Sequence, residues 1–171
     1  IRLVSKDDGY EPEKAIKITQ ELLDQDKVFL LVGAVGTPTS QAVLPIVNEK
    51  QIPFVGPYTG AELLRHPFQK NVVNVRASYF QESERLAHYL VDAKKLGKIA
   101  CFYQNDSFGQ AGLAGITKAL ERRNMQLVAT GNFERNTVAV KSALLEIKKG
   151  EPEAIVMVGP YKPCAEFIKL A

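Results

Sequence analysis

The sequence predicts an α/β protein built on parallel sheets, in two half-sheets. Short, continuously apolar runs alternate with segments whose apolar residues recur at helical spacing. Strand starts fall near residues 28, 52, 99, 127 and 154, with one helix between most neighbours, which is the spacing of successive βαβ crossovers. The pattern then restarts near residue 78, where an apolar strand meets a fresh helix start, so the chain is expected to divide into residues 1–77 and 78–171.

The elements run in order along the chain. IRLVSKD is expected as a first strand. EPEKAIKITQELLDQDK reads as a helix with Ala15, Ile18 and Leu22 on one face and Pro12 in its first turn. VFLLVG is continuously apolar, as in a strand buried on both faces of a parallel sheet. In TPTSQAVLPIVNEKQ, Thr37 is the expected N-cap, Pro38 takes the first helical position, and Pro45 kinks or ends the first part of the helix. IPFVG and NVVNVRA are further short strands. SYFQESERLAHYLVDAKKLG opens with Ser78 and Gln81 at capping-box spacing and closes on Gly97. KIACFYQND is a strand, and SFGQAGLAGITKALERRN a helix with Leu113, Ile116 and Leu120 on one face. MQLVATGNFER, TVAVKSALLEIKKG and EAIVMVG continue as strand, helix and strand. KPCAEFIKLA begins a last helix. Neither half carries enough strands to close a core, so the chain reads as the middle of something larger.

Composition narrows the classes. The 171 residues are 46% hydrophobic and 24% charged, the balance of a globular α/β protein. A net charge of +3 is scattered, and the pairs Lys94–Lys95, Arg122–Arg123 and Lys148–Lys149 sit near predicted helix ends, where they complement the helix dipole. That pattern speaks against a nucleic-acid partner. No apolar run is long enough to span a bilayer. Because the first residues already read as a strand, a removed leader is compatible with the sequence. Cys101 and Cys164 lie in unrelated contexts and are expected as free thiols, and His66 and His88 have no partner at metal-ligand spacing.

In open parallel sheets, ligands bind outside the carboxyl ends of the strands. Four loops hold that position: GAVGTPTS, GPYTGAE, QNDSFG and GPYKP. Gly33 and Gly36 give G-x-x-G, which is neither a dinucleotide fingerprint nor a P-loop, so no nucleotide or other cofactor is expected. What remains at Thr37, Thr39 and Ser40 is a helix start rich in hydroxyls. It suits an anion, carboxylate as well as phosphate, or Thr37 simply caps its helix. There is no G-x-S-x-G elbow, no cysteine with a suitable histidine, and no acidic pair on one predicted face, so no catalytic residue is named. Asp106, at a strand end, is a catalytic acid, a helix cap or an amine ligand, and the cap is the commonest outcome.

Taken together, VGAVGTPTSQAVLPIVNEKQIPFVGPYTGAELLR, NVRASYFQE, CFYQNDSFGQAG and VMVGPY resemble the type I periplasmic binding proteins. More narrowly, they resemble the leucine/isoleucine/valine-binding family of ABC-transporter substrate-binding proteins. The resemblance implies two Rossmann-like lobes with parallel sheets, joined by several crossing strands and closing over a ligand, with the first crossing near Arg76–Ser78. It implies an amino acid or an aromatic or aliphatic carboxylate as ligand, a membrane ABC-transporter permease as partner, and no enzymatic activity. It places the protein in the periplasm, or lipid-anchored at the outer face of the cytoplasmic membrane. Carried over by position, Thr37 meets the ligand's α-carboxylate, and Tyr58, Thr59 and Gly60 serve the same head group. Phe108 falls where branched-chain binders use a tyrosine, which removes one polar contact, and Tyr161 matches an aromatic of the facing loop. The acidic residue that receives the ligand's ammonium in that family would lie beyond Ala171, and Asp106 is the available substitute. A ligand-sensing domain of a receptor or regulator, with the same bilobed fold, is the alternative. A transmembrane or signalling segment C-terminal to the last helix would mark that case.

Overall fold

A computed structural model describes residues 2–171. It divides into two compact units, one up to Ser78 and one from Tyr79 to Ala171.

In the first unit, α1 (Pro12–Asp24) leads to β1 (Leu31–Val32), α2 (Thr37–Lys50), β2 (Phe54–Val55) and β3 (Val72–Val73). The strands form a parallel sheet in the order β1-β2-β3, with Leu31 opposite Phe54 and Phe54 opposite Val72. Those three side chains point into one core with Ala15 of α1, Val43 and Val47 of α2, and Leu64. Successive strand residues face opposite ways, so Val32 and Val73 point out the other side and are exposed. Phe29, just before β1, is 71% exposed as well. Two expectations are corrected here. VFLLVG is buried on one face only, because α1 and α2 join a single core cluster on that face. Residues 2–7 form no strand: a strand exists through its ladder, and this segment has no described partner. Lys6 bonds instead to Glu21 of α1 and to Asp26 just beyond it.

The second unit is covered on both faces. It runs α3 (Tyr79–Ala87), β4 (Ile99–Gln104), α4 (Ser107–Glu121), β5 (Ala129–Phe133), α5 (Lys141–Lys149), β6 (Ala154–Val158) and α6 (Tyr161–Leu170), with parallel order β5-β4-β6. Every residue of β4 is buried. Ile99, Cys101 and Tyr103 pack with Ala87, Ile116 and Leu120 on one side. Ala100 and Phe102 pack with Val140, Ile147 and Phe167 on the other. The Phe102 ring lies 4.9 Å from that of Phe133 and 4.3 Å from that of Phe167. Burial pushes the Cys101 thiol up to about 12, so it stays protonated and unreactive.

α4 approaches the sheet closely because glycines recur on its inner side. A Cβ on Gly112 would lie 2.5 Å from Cγ1 of Val158, and one on Gly115 2.6 Å from Oγ of Ser83. After α3 the helix widens into a π-turn over His88–Ala93, and Lys95, at φ 62°, takes the left-handed turn that Gly97 was expected to supply. Gly97 and Lys98 instead donate their amides to the Glu153 carboxylate, which lowers its pKa. Arg123, just past α4, bonds Asp92 and Glu84 together. Those bonds lower both carboxyls, Asp92 to about 2. No described helix is long and apolar enough to cross a membrane.

Gly112→Ala is expected to destabilise the protein by about 1–3 kcal/mol through overpacking. Adding Val158→Ala should recover part of that loss in a urea-denaturation cycle. The Asp92 and Glu84 pairs contribute stability that is present above about pH 4 and lost as pH falls through their lowered folded values. Arg123→Met should therefore lower the urea midpoint at neutral pH and flatten its acid limb.

Candidate functional site

The loops that leave β1 and β2 run side by side beyond the strand ends. Gly33 donates its amide to the Val55 carbonyl at 3.0 Å, Tyr58 to Ala34 at 2.7 Å, and Gly36 to Tyr58 at 3.3 Å. A parallel bridge between Val35 and Tyr58 continues the sheet's register into both loops. This alignment puts Thr37 opposite Thr59, and their hydroxyls meet at 2.6 Å.

The start of α2 differs from the expectation. Gly36, not Thr37, is the N-cap residue; its φ of 104° is open to glycine. No side chain caps the helix. Thr37 is the first helical residue, and its hydroxyl is turned to Thr59 and away from the helix amides, with Pro38 next in the chain. The Thr39 hydroxyl donates back to the Val35 and Gly36 carbonyls. Ser40 donates its amide to Gly36 at 3.1 Å. Pro38 has no N–H, so the open amides here are those of Thr37 and Thr39, which find no partner among the described residues. Four hydroxyls, of Thr37, Thr39, Ser40 and Thr59, are buried around them, with Thr37 0% exposed. Chemically this is a helix-dipole end with unsatisfied donors and no competing carboxylate cap, which favours an anion.

The second loop is held from behind. Thr59 turns tightly onto Pro57, its amide 2.8 Å from that carbonyl, and its hydroxyl accepts the Ala61 amide at 3.1 Å. Arg65 donates to the carbonyls of Ala61 and Arg76, both at 3.0 Å, tying residues 58–61 to the segment after β3. Tyr58 is 64% exposed, and the Arg76 guanidinium lies 5.1 Å from its ring centroid. Gly60 is buried beside Thr59. Arg65 and Arg76 carry no motif, and their roles come from contacts between distant residues. Only the arginine's place at the end of the GPYTGAELLR stretch hinted at Arg65.

In the second unit, Asp106 is the N-cap of α4. Its Oδ1 accepts the amides of Phe108 at 2.9 Å and Gly109 at 3.1 Å, and its Oδ2 accepts the buried Gln104 side chain at 2.5 Å. All three contacts commit the carboxylate to structure. Phe108 sits in the first turn of α4, half-buried, with its ring 5.8 Å from that of Tyr79. Tyr161 opens α6 and is 77% exposed. So the structure brings Thr37, Tyr58, Thr59 and Gly60 together in the first unit. In the second it places Asp106 and Phe108 at one helix start and Tyr161 at another. A cavity of about 280 Å³ in the second unit is lined by Val138, Val140, Ser142, Glu166 and Leu170, none of them a predicted site residue. The described residues hold no cluster of His, Cys, Asp and Glu able to bind a metal.

The sequence matches the family described as periplasmic binding protein over residues 1–171. An amino acid binding protein of Pseudomonas aeruginosa is 25% identical over 170 residues, which is 99% of this chain and 45% of that protein. Among solved structures, a possible leucine/isoleucine/valine-binding protein from Rhodopirellula baltica superposes with a TM-score of 0.93 at 36% identity, covering 99% of this chain and 47% of that one. A substrate-binding periplasmic protein from Ralstonia solanacearum does so with a TM-score of 0.88 at 26% identity, covering 99% and 48%. The chain thus spans under half the length of these relatives.

Asp106→Ala, which loses the cap and the Gln104 bond together, should cost about 1–2 kcal/mol of stability by urea denaturation. Asp106→Asn should cost less, because it keeps the Oδ1 cap of Phe108 and Gly109 and loses only the acceptor of the Gln104 side chain; an equal loss in both variants would show that the Gln104 bond, not the cap, carries the stabilisation.

Proposed function

The chain belongs to the periplasmic binding protein family, and from that premise we propose that it is an extracytoplasmic solute-binding protein. It captures an amino acid or a related small carboxylate and delivers it to an ABC transporter, breaking no bond. The observation that carries this reading is the uncapped start of α2, where the Thr37–Thr59 hydroxyl pair at 2.6 Å sits beside two open amides.

A carboxylate placed against the Thr37 and Thr39 amides accepts charge-assisted hydrogen bonds and gains from the helix dipole. Gly60 lets the second loop approach the same head group without a side chain in the way. Tyr58 offers an exposed ring at that loop. In this reading residues 1–77 belong to lobe one and residues 78–171 to lobe two. The lobe-two part contributes Phe108 and Tyr161 as surfaces for the ligand's side chain. Phe108 carries no hydroxyl, which shifts that contact toward apolar ligand groups. Asp106 is bound to Phe108, Gly109 and Gln104, so it serves the ligand by fixing Phe108 at the helix start. The names of the relatives agree with this class: one is an amino acid binding protein, another a possible leucine/isoleucine/valine-binding protein. The family also supports a location in the periplasm or a lipid anchor at the outer face of the cytoplasmic membrane.

A thermal-shift screen of the intact protein against amino acids, benzoate, short-chain carboxylates and nucleotides tests the reading. A ligand at 100 times its Kd adds about 2.7 kcal/mol of stability. Stabilisation by an amino acid or carboxylate is the expected result, and stabilisation by nucleotides alone would contradict it. For the ligand so found, Thr59→Val should weaken binding about tenfold, because it leaves the buried Thr37 hydroxyl without its partner.

A further inference from the structure

An anion seat made of open amides has a mechanical problem. α4 is fixed at its start by the Asp106 carboxylate, but α2 has no side-chain cap, and its amides must be aimed by something else. The contact that does this comes from the turn before α1. A Cβ built on Gly36 would fall 2.1 Å from Cε2 and 2.7 Å from Cδ2 of Tyr10. The tyrosine ring therefore occupies the space directly against the Gly36 backbone, at the residue from which α2 departs.

Tyr10 is itself set firmly. Its φ of 62° is a left-handed conformation that bulky residues adopt at a cost. The turn that imposes it is closed by Asp7 and Asp8: Gly9 donates to Asp7 Oδ1 and Tyr10 to Asp8 Oδ1, both at 2.8 Å, and Glu11 donates to the Asp8 carbonyl at 3.0 Å. Thr39 Oγ1 would lie 3.1 Å from the same Cβ and donates to the Val35 and Gly36 carbonyls. A ring and a hydroxyl thus both pack against Gly36 where a side chain would stand. Ser40 is fully buried, and its hydroxyl has no partner among the described residues, so it adds no anchoring bond.

We infer that Tyr10 is a positioning residue for the ligand head group: its ring fixes Gly36 and so the direction of the Thr37 and Thr39 amides. This rests on reading the α2 start as the carboxylate seat. It predicts that the aromatic ring is what matters, because the ring carbons make the contact.

The test combines two readouts on the intact protein. Amide hydrogen exchange of residues 33–44 without ligand should quicken about tenfold in Tyr10→Ala and stay within about threefold of wild type in Tyr10→Phe, while β4 is unchanged in both. Gly36→Ala, which forces a Cβ into the ring, should quicken the same residues. Unchanged exchange in Tyr10→Ala, or equal quickening throughout the first unit, would overturn the inference. Calorimetry with L-leucine as probe supplies the second readout. Tyr10→Ala should bind about tenfold more weakly, whereas Val47→Ala, buried toward the other end of α2, should lose stability but keep its Kd. Equal weakening in both variants would also overturn it. Should wild type bind no amino acid or carboxylate at all, the proposed function fails, and the exchange result still decides what Tyr10 does.

Discussion

The first amides of a helix need partners from outside its own backbone ladder, and α2 has no side-chain cap to supply them. The rest of the first unit is arranged around that start. A glycine at φ 104° lets the helix leave β1 at once, and the Thr37 hydroxyl bonds across to Thr59 instead of back to its own helix. Arg65 then ties the Thr59 loop to the segment after β3. Each of these contacts stabilises a geometry in which two amides have no partner among the described residues, a cost that the proposed carboxylate would offset on binding.

The second unit shows the opposite solution. Asp106 satisfies two amides of α4 and a buried glutamine at once, so that helix start is complete in itself. Its glycines let α4 sit tightly on the sheet and on α3, and β4 is packed on both faces. The contrast extends to the sheets. The first unit leaves one sheet face, with Val32 and Val73 exposed, uncovered among the described residues.

Most of the architecture was legible in the sequence because strand and helix periods are local signals. The alternation of runs such as KIACFYQ with segments such as SFGQAGLAGITKAL appears as β4 and α4. Asp106 as a cap was legible for the same reason, since a side chain two residues from its donors needs no tertiary information. Four features were not legible. The lengths of β1 to β3, two residues each, depend on how far the neighbouring chain stays in register. The one-sided burial of VFLLVG depends on which helices cover the sheet, and an apolar run looks the same in either case. Thr37 was expected as a cap because its hydroxyl has a local option, and the bond to Thr59, far along the chain, outcompetes it. The Tyr10–Gly36 contact has no pattern at all, only a glycine whose missing side chain makes room.

The central claim is that the α2 start holds a carboxylate. Calorimetry of the intact protein with L-leucine, L-valine, L-glutamate and L-phenylalanine, each beside its α-carboxamide, tests it most directly. The carboxamide keeps the size and side chain, removes the negative charge and turns one acceptor oxygen into an N–H donor, which two facing amides cannot satisfy. For any amino acid that binds, the account predicts that its amide binds about ten to a hundred times more weakly, the loss of charge-assisted bonds to two amides. Equal affinity for acid and amide would contradict it.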